Sequence, residues 1–380
     1  MTKRIIVIGG GISGMSIAWH LMESGHKDVT VIDKGYFTNG ATGRCGAGIR
    51  QQWATEMNCL LARDSMRFFE NAKETLAYEG DFELKQKGYL ILATTEEEVR
   101  QFEKNVALQN SLGIPSVLLS PEEAKKIVPH VNTDAFLKAS YCPTDGHLNP
   151  FKMTEAFYQA ARRLGADIRF HETVTGIMTE DGHVTGVMTD KGTYAADVIV
   201  NAAGGYAREI GQMAGTDIPV YSENHQILAT EPVDEVQGPM VMSFSKNIYC
   251  QQVPHGSFLI GRGDPDEPPS HSTRSSWQFL DRMAETVLDL LPPLARLRVV
   301  RTWGGSYNMS PDRQPVISET DVKGFLVAAG FSGHGFMFAP MTGAVIRDLI
   351  DGTGDPGIKA YLSIRRFEEN QDMTVEHSVV

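Results

Sequence analysis

Gly9-Gly10-Gly11-Ile12-Ser13-Gly14 lies between the apolar run 5–8 and an amphipathic stretch that begins at Met15. Three glycines at G-x-G-x-x-G spacing, between a strand pattern and a helix pattern, suit the binding of a dinucleotide pyrophosphate. The first permits a tight turn, the second lets backbone N–H groups approach the phosphates, and the third allows helix and strand to pack closely. The N-terminus of the helix then faces the anion. Gly9, Gly11, Ile12, Ser13 and Gly14 are therefore assigned to a cofactor. A second apolar run, Val29-Thr30-Val31-Ile32, ends in Asp33, nineteen positions beyond Gly14 and next to Lys34. An acid at that spacing is placed to hold ribose hydroxyls.

The elements that must carry these residues form a long, acidic, globular chain. With 380 residues and 42% hydrophobic composition it fits two domains with sizeable cores. A net charge of −12, with the acids scattered, offers no basic surface for nucleic acid or an anionic membrane. Cys45, Cys59, Cys142 and Cys250 show no C-x-x-C spacing, which points to free thiols in a reducing, cytoplasmic setting. The apolar run 5–8 is too short for a signal peptide, and no eighteen apolar residues run together to make a transmembrane helix. Helical spacing is expected over 56–78, 95–112, 152–164, 277–291 and 342–350, with another helix opened by Ser120-Pro121-Glu122-Glu123. Strands are expected at 89–93, 167–170, 174–178, 197–201 and 325–329. A hairpin is expected at 182–187, antiparallel strands over 221–263, and a proline-rich loop at 265–270. Residues 39–53 read as a Gly- and Ala-rich loop.

Three strings in chain order resemble the FAD-dependent amine and amino-acid oxidoreductases of the D-amino-acid oxidase superfamily. They are the glycine turn above, Val198-Ile199-Val200-Asn201-Ala202-Ala203-Gly204, and Gly330-Phe331-Ser332-Gly333-His334-Gly335-Phe336. The resemblance covers essentially the whole chain. Within the superfamily, Arg44-Cys45-Gly46-Ala47-Gly48-Ile49-Arg50-Gln51-Gln52-Trp53 and His225-Gln226 are most similar to the β subunits of dye-linked L-proline dehydrogenases, with sarcosine oxidase β subunits and opine oxidases as relatives.

The resemblance implies an α/β fold in which a Rossmann-like FAD-binding domain (1–80, 141–218 and 302–365) is interleaved with an α+β, antiparallel-sheet substrate domain (81–140 and 219–301). It adds Thr42, Gly43, Arg44, Ala47, Gly48, Ile49, Val174, Ala202, Ala203, Gly204, Gly305, Gly333, His334, Gly335, Phe336 and Met337 to the cofactor residues. Gly333-His334-Gly335, just ahead of a helical pattern, offers backbone N–H groups where negative charge develops on a reduced flavin. In monomeric sarcosine oxidase a cysteine attaches the flavin. The matching stretch here, Trp303-Gly304-Gly305-Ser306-Tyr307, has none, so FAD is expected to be noncovalent. The histidine that tethers a second flavin in heterotetrameric sarcosine oxidase is missing from Leu148-Asn149-Pro150-Phe151-Lys152, which leaves open only a noncovalent FMN at a subunit interface. Two lysines of the monomeric enzyme are matched by Met337 and Leu259, favouring a dehydrogenase that passes electrons to partner subunits over an oxidase.

The implied reaction is oxidation of a secondary or primary amino acid, proline- or sarcosine-like, at its Cα–N bond by hydride transfer to flavin. Arg50 is assigned to the substrate carboxylate, because a guanidinium fork can hold it bidentately and aim the Cα–H. His225 and Tyr249 are assigned to the amine end. Arg44 fits a flavin phosphate or an internal ion pair equally well; Trp53 and Trp303 suit a pocket wall or a core, and Cys45 is read as structural. No metal site is expected. An FAD-binding electron-relay subunit, and a 2-hydroxy-acid or glycerol-3-phosphate dehydrogenase of similar fold, remain alternatives.

Overall fold

A computed structural model describes residues 3–264, 266–368 and 375–378. Pro265 of the expected 265–270 loop lies outside them. The opening strand, Arg4–Ile8, sits inside a six-stranded sheet whose order is Val316–Glu319, Phe325–Ala329, Val198–Asn201, Arg4–Ile8, Asp28–Ile32 and Asp167–Arg169. All neighbours are parallel except the outermost pair, Val316–Glu319 against Phe325–Ala329. In register, Ile5 faces Val198 on one side and Val29 on the other.

Alternation along these strands supplies two cores. Ile5 and Val7 join Met15, Ile17 and Phe157 on the helical side, whereas Ile6 and Ile8 join Ile177, Val187 and Ile210 on the other. The helix Ile12–Glu23 buries ten of its twelve residues, since helices Pro150–Arg163 and Gly335–Asp351 both pack on it. The strands Arg4–Ile8, Asp28–Ile32 and Val198–Asn201 end side by side, leading into Gly9, Asp33 and Ala202, and so open a crevice at one edge of the sheet. Gly9 is needed there: its φ is +113° and a Cβ would overlap the Ala202 carbonyl.

The second sheet has eight strands in the order Val299–Met309, Tyr221–Thr230, Phe258–Gly263, Ile248–Gln252, Met240–Ser243, Tyr89–Ala93, Lys138–Cys142 and Val117–Leu119. It is mixed. Met240–Ser243 pairs parallel with Tyr89–Ala93, so the antiparallel pattern expected of this sheet is interrupted at its centre. Val299–Met309 was not foreseen as a strand, and the expected domain boundary at 302 falls inside it, since it pairs with Tyr221–Thr230 along its length. The expected hairpin at 182–187 is the turn and second strand of a three-stranded sheet, Val174–Glu180, His183–Thr189 and Gly192–Ala195. The 39–53 loop contains a short ribbon, Gly48–Ile49 paired with Gly146–His147, that bridges toward the second sheet.

Candidate active site

A cavity of about 650 Å³ runs from the crevice of the six-stranded sheet to the face of the eight-stranded one. Gly9, Gly11, Ile12 and Ser13 form its first wall, with Asp33 and Lys34 beside them. The Asp33 carboxylate accepts from the backbone N–H groups of Gly10 and Gly35, both at 2.7 Å, which fixes the acid at the end of its strand. Thr42 Oγ1 accepts from Ile12 N at 3.1 Å and ties the 41–44 turn to the glycine turn. Val174, Ala202, Ala203 and Gly204 line the opposite side. Further in come Arg44, Ala47, Gly48 and Gly305, then Gly333, Gly335, Phe336 and Met337 at the start of the last long helix.

Four residues assigned to the cofactor do not line this cavity. Gly14 serves packing, since a Cβ there would overlap the Gly9 carbonyl, and Gly43 sits against the Thr38 carbonyl in the same way. Ile49 is buried in the helical core. His334 points away and packs against Trp53, 4.5 Å between centroids with the ring planes tilted by 58°. Burial, and then the Arg50 charge, push its pKa down to about 3. The residues that remain fit a flavin dinucleotide: the glycine turn leaves backbone exposed where side chains would obstruct a pyrophosphate, and Ser306 Oγ and Asn308 Nδ2 line the cavity buried and without a partner among the described residues.

The far end is made of phenols. Tyr89, Tyr249 and Tyr307 line it, and no hydrogen bond holds their hydroxyls among the described residues. Each ring is seated on a glycine, Gly48, Gly261 and Gly333 respectively, where any Cβ would collide with the tyrosine. Burial pushes all three phenol pKa values upward, so they are hydroxyl donors and not phenolates. His225 is stacked between Tyr307, 4.1 Å away, and Tyr249, 5.5 Å away. Burial, reinforced by Arg262, lowers its pKa to about 3, so the imidazole is neutral, and its buried Nε2 has no partner among the described residues. Met240, Met242 and Ile227 complete an apolar wall.

Arg50 requires a correction: it is outside the cavity. Its guanidinium donates to the Gln52 carbonyl at 2.7 Å and the Ser378 carbonyl at 2.6 Å, and lies 3.9 Å from the centroid of the Trp53 ring. Those contacts engage both terminal nitrogens, while the buried Nε has no partner among the described residues. The 50–52 turn is further fixed by buried Asp145, which accepts from Gln51 N at 2.8 Å and Gln52 Nε2 at 3.0 Å; burial pushes its pKa up to about 6. Trp53 is a core residue, whereas Trp303 is half-buried and donates to the Arg44 carbonyl at 2.9 Å. Cys45 lines the cavity as a thiol whose pKa burial pushes up to about 11, which fits the structural role read for it. Arg44 and Lys34 are the cavity's cations among the described residues, and Leu259 is not part of its lining.

Residues 4–349 match the family described as FAD dependent oxidoreductase (DAO). The chain belongs to that family. As a DAO-family enzyme it is similar to the sarcosine oxidase subunit beta of Rhodobacter capsulatus, 28% identical over 97% of this chain and 89% of that protein. It is also similar to the mitochondrial dimethylglycine dehydrogenase of Rattus norvegicus, 29% identical over 91% of this chain but only 42% of that longer protein. Among solved structures, an L-proline dehydrogenase from P. horikoshii superposes with a TM-score of 0.91 at 37% identity, covering 97% of this chain and 99% of that one. Among the described residues, no helix is long and apolar enough to cross a membrane, and no cluster of His, Cys, Asp and Glu could hold a metal.

Proposed function

We propose that this oxidoreductase oxidises a small secondary or primary amino acid, proline- or sarcosine-like, at its Cα–N bond, as the catalytic subunit of a heteromeric dehydrogenase. The observation that carries the reading is the continuity of one cavity from the glycine turn to three phenols, unpartnered among the described residues, and a neutral histidine. Noncovalent FAD, held by the glycine turn, Asp33, Asn308 and the Gly333–Gly335 backbone, would supply a hydride acceptor when bound. The hydroxyls of Tyr89, Tyr249 and Tyr307 donate to the substrate carboxylate, with Arg44 as the cation of the inner cavity. His225 Nε2 accepts from the substrate nitrogen and favours its neutral form, whose lone pair must assist departure of the Cα hydride. Met240, Met242 and Ile227 exclude water from the reacting carbon.

The names of the relatives support an amino-acid substrate and a multi-subunit assembly, one being an L-proline dehydrogenase and another a subunit beta. Met337 and Leu259, apolar where a lysine stands in monomeric sarcosine oxidase, favour electron transfer to a partner. We assign the noncovalent FMN of the sequence reading to a second cavity of about 300 Å³ that includes Lys85, Lys87, His147 and His255. It lies across one ribbon from the first, because His147 on its wall pairs with Gly48. Lys87 is ion-paired there with Glu235, so Lys85 is the lysine that would meet a phosphate. A cytoplasmic location goes with this reading through the four free cysteines.

Anaerobic reduction of bound flavin by the isolated chain tests the proposal against L-proline, sarcosine, an opine and glycerol 3-phosphate. At least one amino acid should bleach the flavin. Reduction by glycerol 3-phosphate alone would overturn the assignment.

A further inference from the structure

At the outer end of the cavity four side chains from three separate segments are layered. Lys34 Nζ lies 3.1 Å from the centroid of the Tyr206 ring, and Tyr206 stacks on His271 with centroids 4.2 Å apart and planes 8° from parallel. His271 Nε2 is 2.6 Å from Glu209 Oε1. Lys34 follows Asp33 just beyond the strand Asp28–Ile32, while Tyr206 and Glu209 belong to the turn and helix after Val198–Asn201. His271 comes from the irregular segment 266–276 that packs on the other sheet. Lys34, Tyr206 and His271 all line the cavity.

Residues 270–274 are bound to the eight-stranded sheet. Ser270 N donates to the Ser222 carbonyl at 2.8 Å, Gly304 N to the Thr273 carbonyl at 2.9 Å, and Asn224 Nδ2 to the Arg274 carbonyl at 2.9 Å. The segment reaches the dinucleotide-binding layer through His271. The His271 contacts therefore link the two sheets across the mouth of the cavity.

We propose that Lys34, Tyr206, His271 and Glu209 form a clasp that holds FAD in place by closing the dinucleotide end, and that the clasp sets the rate at which FAD leaves. This rests on the FAD assignment above. A cation over an aromatic face, a parallel aromatic stack and a hydrogen bond to a carboxylate each contribute modestly where solvent reaches them. The last two share the His271 ring, however, so that loss of His271 removes both at once.

The test is the dissociation rate of FAD from the holoprotein, read as the rise of free-flavin fluorescence after dilution, for the unaltered chain, His271→Ala, Glu209→Gln and Arg274→Ala. His271→Ala should release FAD about tenfold faster, equivalent to about 1.4 kcal/mol. Glu209→Gln should give a smaller increase, and Arg274→Ala, whose exposed side chain is outside the stack, should leave the rate unchanged. A rate within twofold of the unaltered chain for His271→Ala, or an equal acceleration by Arg274→Ala, would overturn the clasp. A purified chain that carries no FAD at all would instead count against the cofactor assignment, so the two failures are distinguishable.

Discussion

Tyr249 and Arg50 show how differently two residues of one site respond to being read from sequence. Tyr249 was visible as a polar aromatic in a buried strand and lies on the cavity wall, but its neighbours Tyr89 and Tyr307 come from strands 160 and 58 positions away, and nothing local announces that three phenols converge. Arg50 was conspicuous in its motif, yet its two terminal nitrogens are engaged by the carbonyls of Gln52 and of Ser378, 328 positions downstream. A contact at that separation is not legible in a local pattern. Tyr249→Phe should keep FAD and lower kcat/KM for the amino acid by about 10- to 100-fold, since a hydrogen bond to a charged group is worth about 1.5–3 kcal/mol; steady-state kinetics and the flavin absorbance of the purified variant check it. For Arg50→Met the expected damage is to stability. Two buried carbonyls lose their donor, each at a cost of about 1–3 kcal/mol, which a urea titration will register as a lower midpoint. Flavin reduction by an amino acid and by its decarboxylated analogue should then change by the same factor, whereas selective loss with the amino acid would restore Arg50 to the carboxylate.

The strand, turn and helix that open the chain were legible because every local preference agrees: an apolar run, glycines where the backbone must turn, then helical spacing. The strand Tyr89–Ala93 was read at its observed bounds for a similar reason, five apolar residues between turn signals. Val299–Met309 was not, because Gly304-Gly305 in its middle imitates a turn. In the fold those glycines remain in the ladder and make room for neighbours: a Cβ on Gly304 would overlap the Asn224 side chain, and one on Gly305 would press on Arg44. Only the tertiary neighbours explain them. Where sequence and structure agree, a sharp outcome follows. Gly9→Ala puts a side chain against the Ala202 carbonyl at a φ of +113°, so the turn must move and the pyrophosphate wall moves with it. The variant should purify with flavin occupancy below about a tenth of normal, measured as the ratio of flavin to protein absorbance, because displacement of a backbone phosphate cradle by one ångström removes several hydrogen bonds together. Normal occupancy would show that this turn does not hold the dinucleotide.

Across the whole molecule, burial of neutral histidines ties stability to pH. His20, His147, His225 and His334 belong to different segments, and in each burial is the main cause of a lowered pKa, to about 4 for the first two and about 3 for the others. Unfolded, they titrate near 6.5, so between that value and the folded values the unfolded chain binds more protons and acid favours unfolding. Each contribution is fully present above about pH 6.5 and is lost progressively as pH falls toward 4 or 3. Asp145 acts in the opposite sense. Its folded pKa of about 6 exceeds the ordinary 3.8, so its contribution is present at low pH and is lost as pH rises through 6. Between pH 7 and pH 5.5 each histidine removes about 1 kcal/mol and Asp145 restores about that amount, so four against one leaves a net loss on the order of 3 kcal/mol. Urea titration of the holoprotein at saturating FAD should show the midpoint falling over this range, with no comparable change between pH 7 and 8. His20 offers the check that separates this from an effect on the flavin: it bonds the Ser16 carbonyl at 2.9 Å inside the helix Ile12–Glu23 and does not line the cavity. His20→Gln should flatten the dependence by about one histidine's share while leaving flavin reduction rates unchanged. A midpoint that holds steady or rises from pH 7 to pH 5.5 would mean that these imidazoles accept protons in the folded chain, and the neutral His225 of the proposed amine site would fall with them.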